Sequence, residues 1–209
     1  MSIWASNPIL HCRITDPYSV EVWDDLIEPS VYKELAASFP AHLAKPFNYN
    51  GGLKMNLNRT HPELMTFLRS NKAWFEFYST VVDRFPQDCT GFKFEFSMLP
   101  NGGGLLPHTD TRRKATTAVF YFPSSNWAKT YGGEFEVVRH ATDPYADYDQ
   151  TELLEWSDTV PIMAVPYRGN RAIVMHRNGH SFHGVRPVRC PPDVYRQTVT
   201  VCWLKEGKQ

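Results

Sequence analysis

The spacing of apolar positions changes character near residue 90 of the 209-residue chain. In EPSVYKELAASFP, Val31, Leu35 and Phe39 recur at four-residue intervals behind a Pro-Ser start, and Pro40 stops the run. This predicts a short amphipathic helix over 30–39. A longer helix is predicted from Pro62 to about Arg84, where Leu64, Phe67, Leu68, Phe75, Tyr78, Val82 and Phe85 fall near helical spacing. Between them FNYNGGLKMNLNRT is rich in Gly and Asn and reads as a loop.

Beyond Pro86 the period becomes two. FKFEFSML sets Phe92, Phe94 and Phe96 against Lys93, Glu95 and Ser97, the alternation of a half-buried strand. Further β-rich runs cover 115–122, 133–138, 170–177, 181–188 and 196–204, separated by Gly, Pro, Ser and Asn clusters. Short strands with no helix between them predict an antiparallel sandwich, jelly roll or barrel. The expected organisation is one domain, 1–209, with a helical support region over 1–90 and a β core over 91–205. The segment 139–160 interrupts that core with six acids and one arginine. It reads as a lid or substrate loop, or equally as a solvated loop.

Composition narrows the function classes. Twenty-two basic and twenty-two acidic residues give zero formal net charge, so no global field draws the chain to nucleic acid or anionic lipid. Cys12, Cys89, Cys190 and Cys202 form no Cys-x-x-Cys pair and no tight framework, which fits a reducing compartment. No apolar run approaches the roughly 20 residues of a membrane span, and the N-terminus has no signal-like run. A cytoplasmic protein is expected, with a small-molecule or peptide partner, no nucleic acid and no membrane.

The candidate chemistry starts at LLPHTDTRRK. On a strand, His108 and Asp110 would share one face and converge on one ion. With one more imidazole they would form the two-histidine, one-carboxylate triad suited to non-haem Fe(II). In VMHRNGHSFHGVRPV, His183 is the best candidate for that imidazole, since it lies in a β-rich run and precedes the small Gly184; His176 and His180 flank a turn. Arg196 opens RQTVTVCWL, sharing a face with Thr198 and Thr200 opposite Val199, Val201 and Trp203. An arginine on such a strand calls for a buried anion, and a carboxylate suits a guanidinium fork.

The ordered set His108-x-Asp110, Tyr121 in AVFYF, YGGEFEV at 131–137, HGVRPV at 183–188 and Arg196 resembles the Fe(II)/2-oxoglutarate-dependent dioxygenases, most closely the prolyl-4-hydroxylase-like branch. The resemblance covers roughly residues 92–204. It implies a mainly β fold with N-terminal helices, a double-stranded β-helix (a cupin-like jelly roll). It further implies Fe(II) on His108, Asp110 and His183, and 2-oxoglutarate held by Arg196 with Thr198, Thr200 and Tyr121. Where some prolyl hydroxylases carry a second cosubstrate tyrosine, ten residues before the first histidine ligand, this chain has Met98.

The implied reaction couples oxidative decarboxylation of 2-oxoglutarate by O2, giving succinate and CO2, to hydroxylation of an unactivated C–H. Ascorbate is a candidate reductant, and Asp110 argues against halogenation. Fe(II), Asp110, Arg196 and dianionic 2-oxoglutarate sum to zero charge, as a low-dielectric site favours. Arg112, Tyr49, Asn58 and Trp156 are candidate substrate contacts, and Arg112, Arg113 and Lys114 form either an anion site or a solvated turn. The rival readings are a zinc hydrolase on the same triad and a cupin-like metal-binding or sensor module without turnover.

Overall fold

A computed structural model describes residues 2–49, 52–58, 62–83, 89–145, 147–148 and 151–205, with the side chains of 47–49 and 52–53 outside the description. The strands are β1 (Ile9–Ile14), β2 (Val20–Asp24), β3 (Lys45–Tyr49), β4 (Gly52–Asn58), β5 (Gly91–Leu99), β6 (Leu105–His108), β7 (Lys114–Tyr121), β8 (Phe135–His140), β9 (Thr159–Val165), β10 (Arg171–His176), β11 (His183–Val185) and β12 (Arg196–Leu204). The helices are α1 (Pro29–Ala37), α2 (Pro62–Ser70) and α3 (Lys72–Asp83).

Two antiparallel sheets form, an eight-stranded one in the order β1-β2-β10-β7-β12-β5-β4-β3 and a four-stranded one in the order β6-β11-β8-β9. From β5 to β12 the chain passes repeatedly between the sheets, which is the jelly-roll winding of a double-stranded β-helix. The alternation in β5 accounts for its placement. Phe94 and Phe96 join Trp74, Phe77, Leu64 and Leu68 in a core beneath the helices, while Glu95, Ser97 and Leu99 face a cavity. Trp74 meets Phe96 at 4.7 Å and Phe77 meets Phe120 at 5.3 Å, edge-on. Each such buried ring contributes about 1.5–3 kcal/mol relative to exposure. A second core, with Tyr18, Val20, Val22, Phe135, Val137 and Ile173, fills the space between the sheets.

The first ninety residues depart from the predicted helical region. Besides the helices they hold β1 to β4, and all four strands extend the larger sheet. GLKMNLN, placed in a loop by its Gly and Asn content, is β4; its Leu53-Met55-Leu57 alternation carried the strand signal. The single long helix from Pro62 is two, because the Asn71 side chain accepts the Trp74 backbone N–H at 3.1 Å and starts a new helix. In α1 the Glu28 carboxylate caps the Ser30 and Val31 N–H groups at 2.9 and 3.1 Å. The 139–160 excursion narrows at both ends, since β8 runs to His140 and β9 starts at Thr159.

Candidate metal centre

β6 and β11 pair antiparallel with His183 opposite His108, and the ring centroids lie 4.4 Å apart. Asp110 lies two residues past the end of the His108 strand rather than on it, a correction to the same-strand reading. The chain turns there, and the ligand-type atoms of His108, Asp110 and His183 still lie within 4.8 Å of one another, all three residues buried. Such a trio can hold a metal ion, and it is the one group of its kind among the described residues.

Backbone carbonyls fix the imidazole tautomers. Nδ1–H of His108 donates to the Leu106 carbonyl at 2.8 Å, and Nδ1–H of His183 to that of Ser181 at 3.0 Å. A carbonyl only accepts, so Nδ1 bears the proton and Nε2 the lone pair, as a metal ligand requires. Burial pushes His108 down from 6.5 to about 3, helped by neighbouring His183, and burial likewise lowers His183. Both imidazoles are therefore neutral near pH 7. Burial alone would raise the Asp110 carboxyl, but Lys114, His183 and His108 outweigh it and hold the group well below the usual carboxylate range. The Thr117 hydroxyl donates to Asp110 Oδ2 at 3.0 Å, and the Lys114 ammonium contacts Oδ1. Two neutral nitrogens and one ionised oxygen fit a divalent cation such as Fe(II).

The other end of the site is built around Arg196, 4% exposed at the start of β12. Its Nε–H donates to the Gly133 carbonyl at 2.7 Å, and its guanidinium carbon lies 5.0 Å from the ring centres of both Tyr121 and Tyr167. Gly133 has φ +83°, and a Cβ there would stand 3.0 Å from Arg196 Cδ. This gives the second glycine of YGGEFEV its reason. Arg196 Nη2, Tyr121 Oη and the nearby Trp127 Nε1 are buried and have no hydrogen-bond partner. Buried donors of this kind are rare unless something else satisfies them, and a carboxylate would. Burial pushes the Tyr121 phenol up to about 12, so it stays a donor.

One cavity of about 390 Å³ joins the two ends, lined by His108, Asp110 and His183 and by Arg196, Thr198 and Thr200. Thr198 and Thr200 thus share the Arg196 face, while Val199, Val201 and Trp203 enter the helix-side core. Tyr121 reaches the site through Arg196 rather than along the cavity wall. Met98, read above as the position of a second cosubstrate tyrosine, is buried off the cavity; its neighbours Ser97 and Leu99 line it. Gly184 lines the cavity beside the trio, and a Cβ there would meet the Leu105 carbonyl at 2.8 Å and the Trp156 ring at 2.9 Å, so close strand packing also demands a glycine.

The substrate candidates separate. Asn58 lines the cavity. Arg112 is exposed in the turn before β7, and Trp156 packs under Arg186 at 4.2 Å instead of entering the wall. The backbone of Tyr49 belongs to β3, whereas its side chain, like all of Asn50, lies outside the described residues. His176 bonds Thr116 and His180 bonds Asn178, both apart from the trio. Residues 152–154 run beside β6, with Thr109 N–H donating to the Glu152 carbonyl at 3.1 Å and Leu154 N–H to that of Pro107 at 2.9 Å. The acidic excursion thereby borders His108 and Thr109, next to the buried trio. Lys54, Asn56, Glu95 and Ser97 also line the cavity, and sequence reading missed them. Their signal was the polar half of the β4 and β5 alternations.

The sequence model of the 2OG-Fe(II) oxygenase superfamily matches residues 94–205. No curated protein matches the chain. Among solved structures it is similar to a Pseudomonas putida prolyl-4-hydroxylase, at 14% identity and TM-score 0.57, covering 90% of this chain and 92% of that one. A Trichoplax adhaerens prolyl hydroxylase, solved with a hypoxia-inducible-factor peptide fragment, gives 15% identity and TM-score 0.52 over 89% and 83%. The epimerase SnoN, solved with Fe3+, alpha-ketoglutarate and nogalamycin RO, gives 12% and 0.53 over 89% and 78%. At these identities the structural likeness concerns the fold, and it agrees with the family match. The chain belongs to the 2OG-Fe(II) oxygenase superfamily and is a 2-oxoglutarate-dependent oxygenase using Fe(II), 2-oxoglutarate and O2.

Proposed function

We propose that His108, Asp110 and His183 hold Fe(II), that Arg196 holds the distal carboxylate of 2-oxoglutarate, and that the enzyme hydroxylates an unactivated C–H of a small molecule or peptide. The carrying observation is the single cavity with the donor trio at one end and a buried guanidinium at the other. Loaded with metal and cosubstrate, such a site supplies oxidative decarboxylation of 2-oxoglutarate to succinate and CO2 coupled to oxidation of the substrate.

The protein's own part is to bind, orient and exclude water. The Leu106 and Ser181 carbonyls keep both imidazoles in the ligand tautomer, and Thr117 orients the carboxylate. The Gly133 carbonyl aims Arg196 and the Tyr121 ring supports it, leaving Nη2 to receive the carboxylate, while Thr198 and Thr200 offer hydroxyls along the cavity. Burial strengthens each of these contacts by lowering the local dielectric.

A zinc hydrolase would leave the buried Arg196 pocket without a task, and a binding module would take up 2-oxoglutarate without forming succinate. Succinate formation from 2-oxoglutarate with Fe(II) and O2, compared between the wild type and Asp110→Ala, tests the reading. Turnover is expected in the first and loss in the second. Metal-dependent hydrolysis without O2 would overturn it.

A further inference from the structure

The excursion between β8 and β9 grips the backbone that carries the metal ligands. β6 lies at the edge of the smaller sheet, is four residues long, and has an irregular register with β11. So short a strand, held by one named neighbour, keeps its last residues in place only weakly. Glu152, Leu153 and Leu154 close its open side. Leu154 N–H donates to the Pro107 carbonyl at 2.9 Å, Thr109 N–H donates to the Glu152 carbonyl at 3.1 Å, and Leu153 stands opposite His108 as its bridge partner. Pro107 has no N–H to offer, so its carbonyl is the group that needs a partner there. Glu152 N–H returns to the Thr109 hydroxyl at 3.0 Å. Thr109 is fully buried and stands between His108 and Asp110.

The same excursion reaches Asp110 and His183 through their surroundings. The Tyr148 carbonyl accepts Arg177 Nη2, while Arg177 Nε donates to the Asp110 carbonyl at 3.1 Å. Tyr148 N–H donates to the Gly179 carbonyl at 3.1 Å, and its ring meets Phe182 edge-on at 5.4 Å. The Trp156 ring lies against Gly184, where a Cβ would stand 2.9 Å from it. Phe182 and Gly184 are the residues on either side of His183. Above Trp156 sits the Arg186 guanidinium at 4.2 Å, and Arg186 Nε donates to Glu136 on β8 at 2.8 Å. A solvated loop has no reason to converge on the sequence neighbours of all three ligands.

Resting on the metal reading above, we propose that this segment is a clasp on the metal centre, in which Thr109, Tyr148 and Trp156 are positioning residues that keep His108, Asp110 and His183 together. A site assembled from separate short segments binds in proportion to the fraction of molecules that have every ligand in place. The clasp raises that fraction by tying down the neighbours of each ligand. The excursion, read from its sequence as a lid or a solvated loop, thereby acquires a different role, retention of the metal.

The test is anaerobic calorimetry of Fe(II) binding to the full chain, with no cosubstrate or substrate present. The wild type should bind Fe(II) saturably and Asp110→Ala should lose most of that affinity; failure of either result removes the metal reading and this proposal together. Thr109→Val keeps the shape and removes the hydroxyl that receives Glu152 N–H, and it should weaken Fe(II) binding about tenfold. Thr109→Ser keeps the hydroxyl and loses a buried methyl, so its stability in urea should fall while its affinity stays within about twofold of wild type. Trp156→Ala should weaken binding in the same direction as Thr109→Val. A merely structural role would make affinity follow stability, with Thr109→Ser weakened as much as Thr109→Val. That outcome, or unchanged affinity in Thr109→Val or in Trp156→Ala, would overturn the proposal.

Discussion

His183 and His108 face one another as register partners across β11 and β6, so hydrogen bonding between two short strands, rather than proximity in sequence, brings the imidazoles together. Asp110 joins them from a turn whose backbone is tied down elsewhere, since the Arg177 guanidinium donates to the Asp110 carbonyl at 3.1 Å.

Arg196→Lys keeps the charge and loses the fork that grips a carboxylate through two parallel bonds. KM for 2-oxoglutarate should rise roughly tenfold to a hundredfold, with kcat changed far less, because the lost contact is formed alike in ground and transition states. Steady-state succinate assays over a range of 2-oxoglutarate concentrations check this.

Gly133→Ala tests the glycine beneath that guanidinium. The left-handed φ of +83° costs an alanine about 1–2 kcal/mol, and its methyl would stand 3.0 Å from Arg196 Cδ. Lower stability in urea and a raised KM for 2-oxoglutarate are expected together, whereas Gly102→Ala, where a Cβ meets nothing within 4 Å, should lower stability alone.

Acid should destabilise the metal-free protein. His108 takes its proton at 6.5 when unfolded and only near 3 when folded, so the unfolded chain binds more protons between those values. Stability then falls as pH drops through that window, by up to about 1.4 kcal/mol per pH unit for each such imidazole. His183 acts in the same direction. Asp110, depressed below 3.8, adds its loss at still lower pH. Urea denaturation at pH 7, 6 and 5 with chelator present reads the slope, which should flatten in His108→Gln.

The Asp24–Arg171 pair fastens β2 to β10. Arg171 Nε and Nη2 reach the carboxylate at 2.6 and 2.8 Å, and both residues are buried. Asp24→Asn strands a buried guanidinium and should cost about 3–5 kcal/mol. Chemical denaturation measures it, and an effect below about 1 kcal/mol would contradict the assignment.

Legibility in the sequence followed the physics of each element. Most core strands were plain because aromatic and β-branched residues alternate along them, and His183 and Arg196 stood out as chemistry-bearing residues within such runs; β6 and β9 fell outside every β-rich run, and His108 stood out only through its spacing to Asp110. The four N-terminal strands were missed where composition hid the pattern, as in GLKMNLN, whose Asn and Gly outweighed its alternation. The α2–α3 break rested on one Asn71 cap, too small a signal against continuous helical spacing. Lys54 and Glu95 were invisible as partners because only the β4–β5 pairing brings them together, and Lys114 stayed open between an anion site and a solvated turn because its inward direction depends on where β7 begins.

The most direct test of the account is a crystal structure determined anaerobically with Fe(II) and 2-oxoglutarate. The account predicts iron, identified by its anomalous signal, bonded to Nε2 of His108, Nε2 of His183 and the Asp110 carboxylate, with the far carboxylate of 2-oxoglutarate on Arg196. Iron elsewhere, or Arg196 without a carboxylate partner while 2-oxoglutarate is bound, would contradict it.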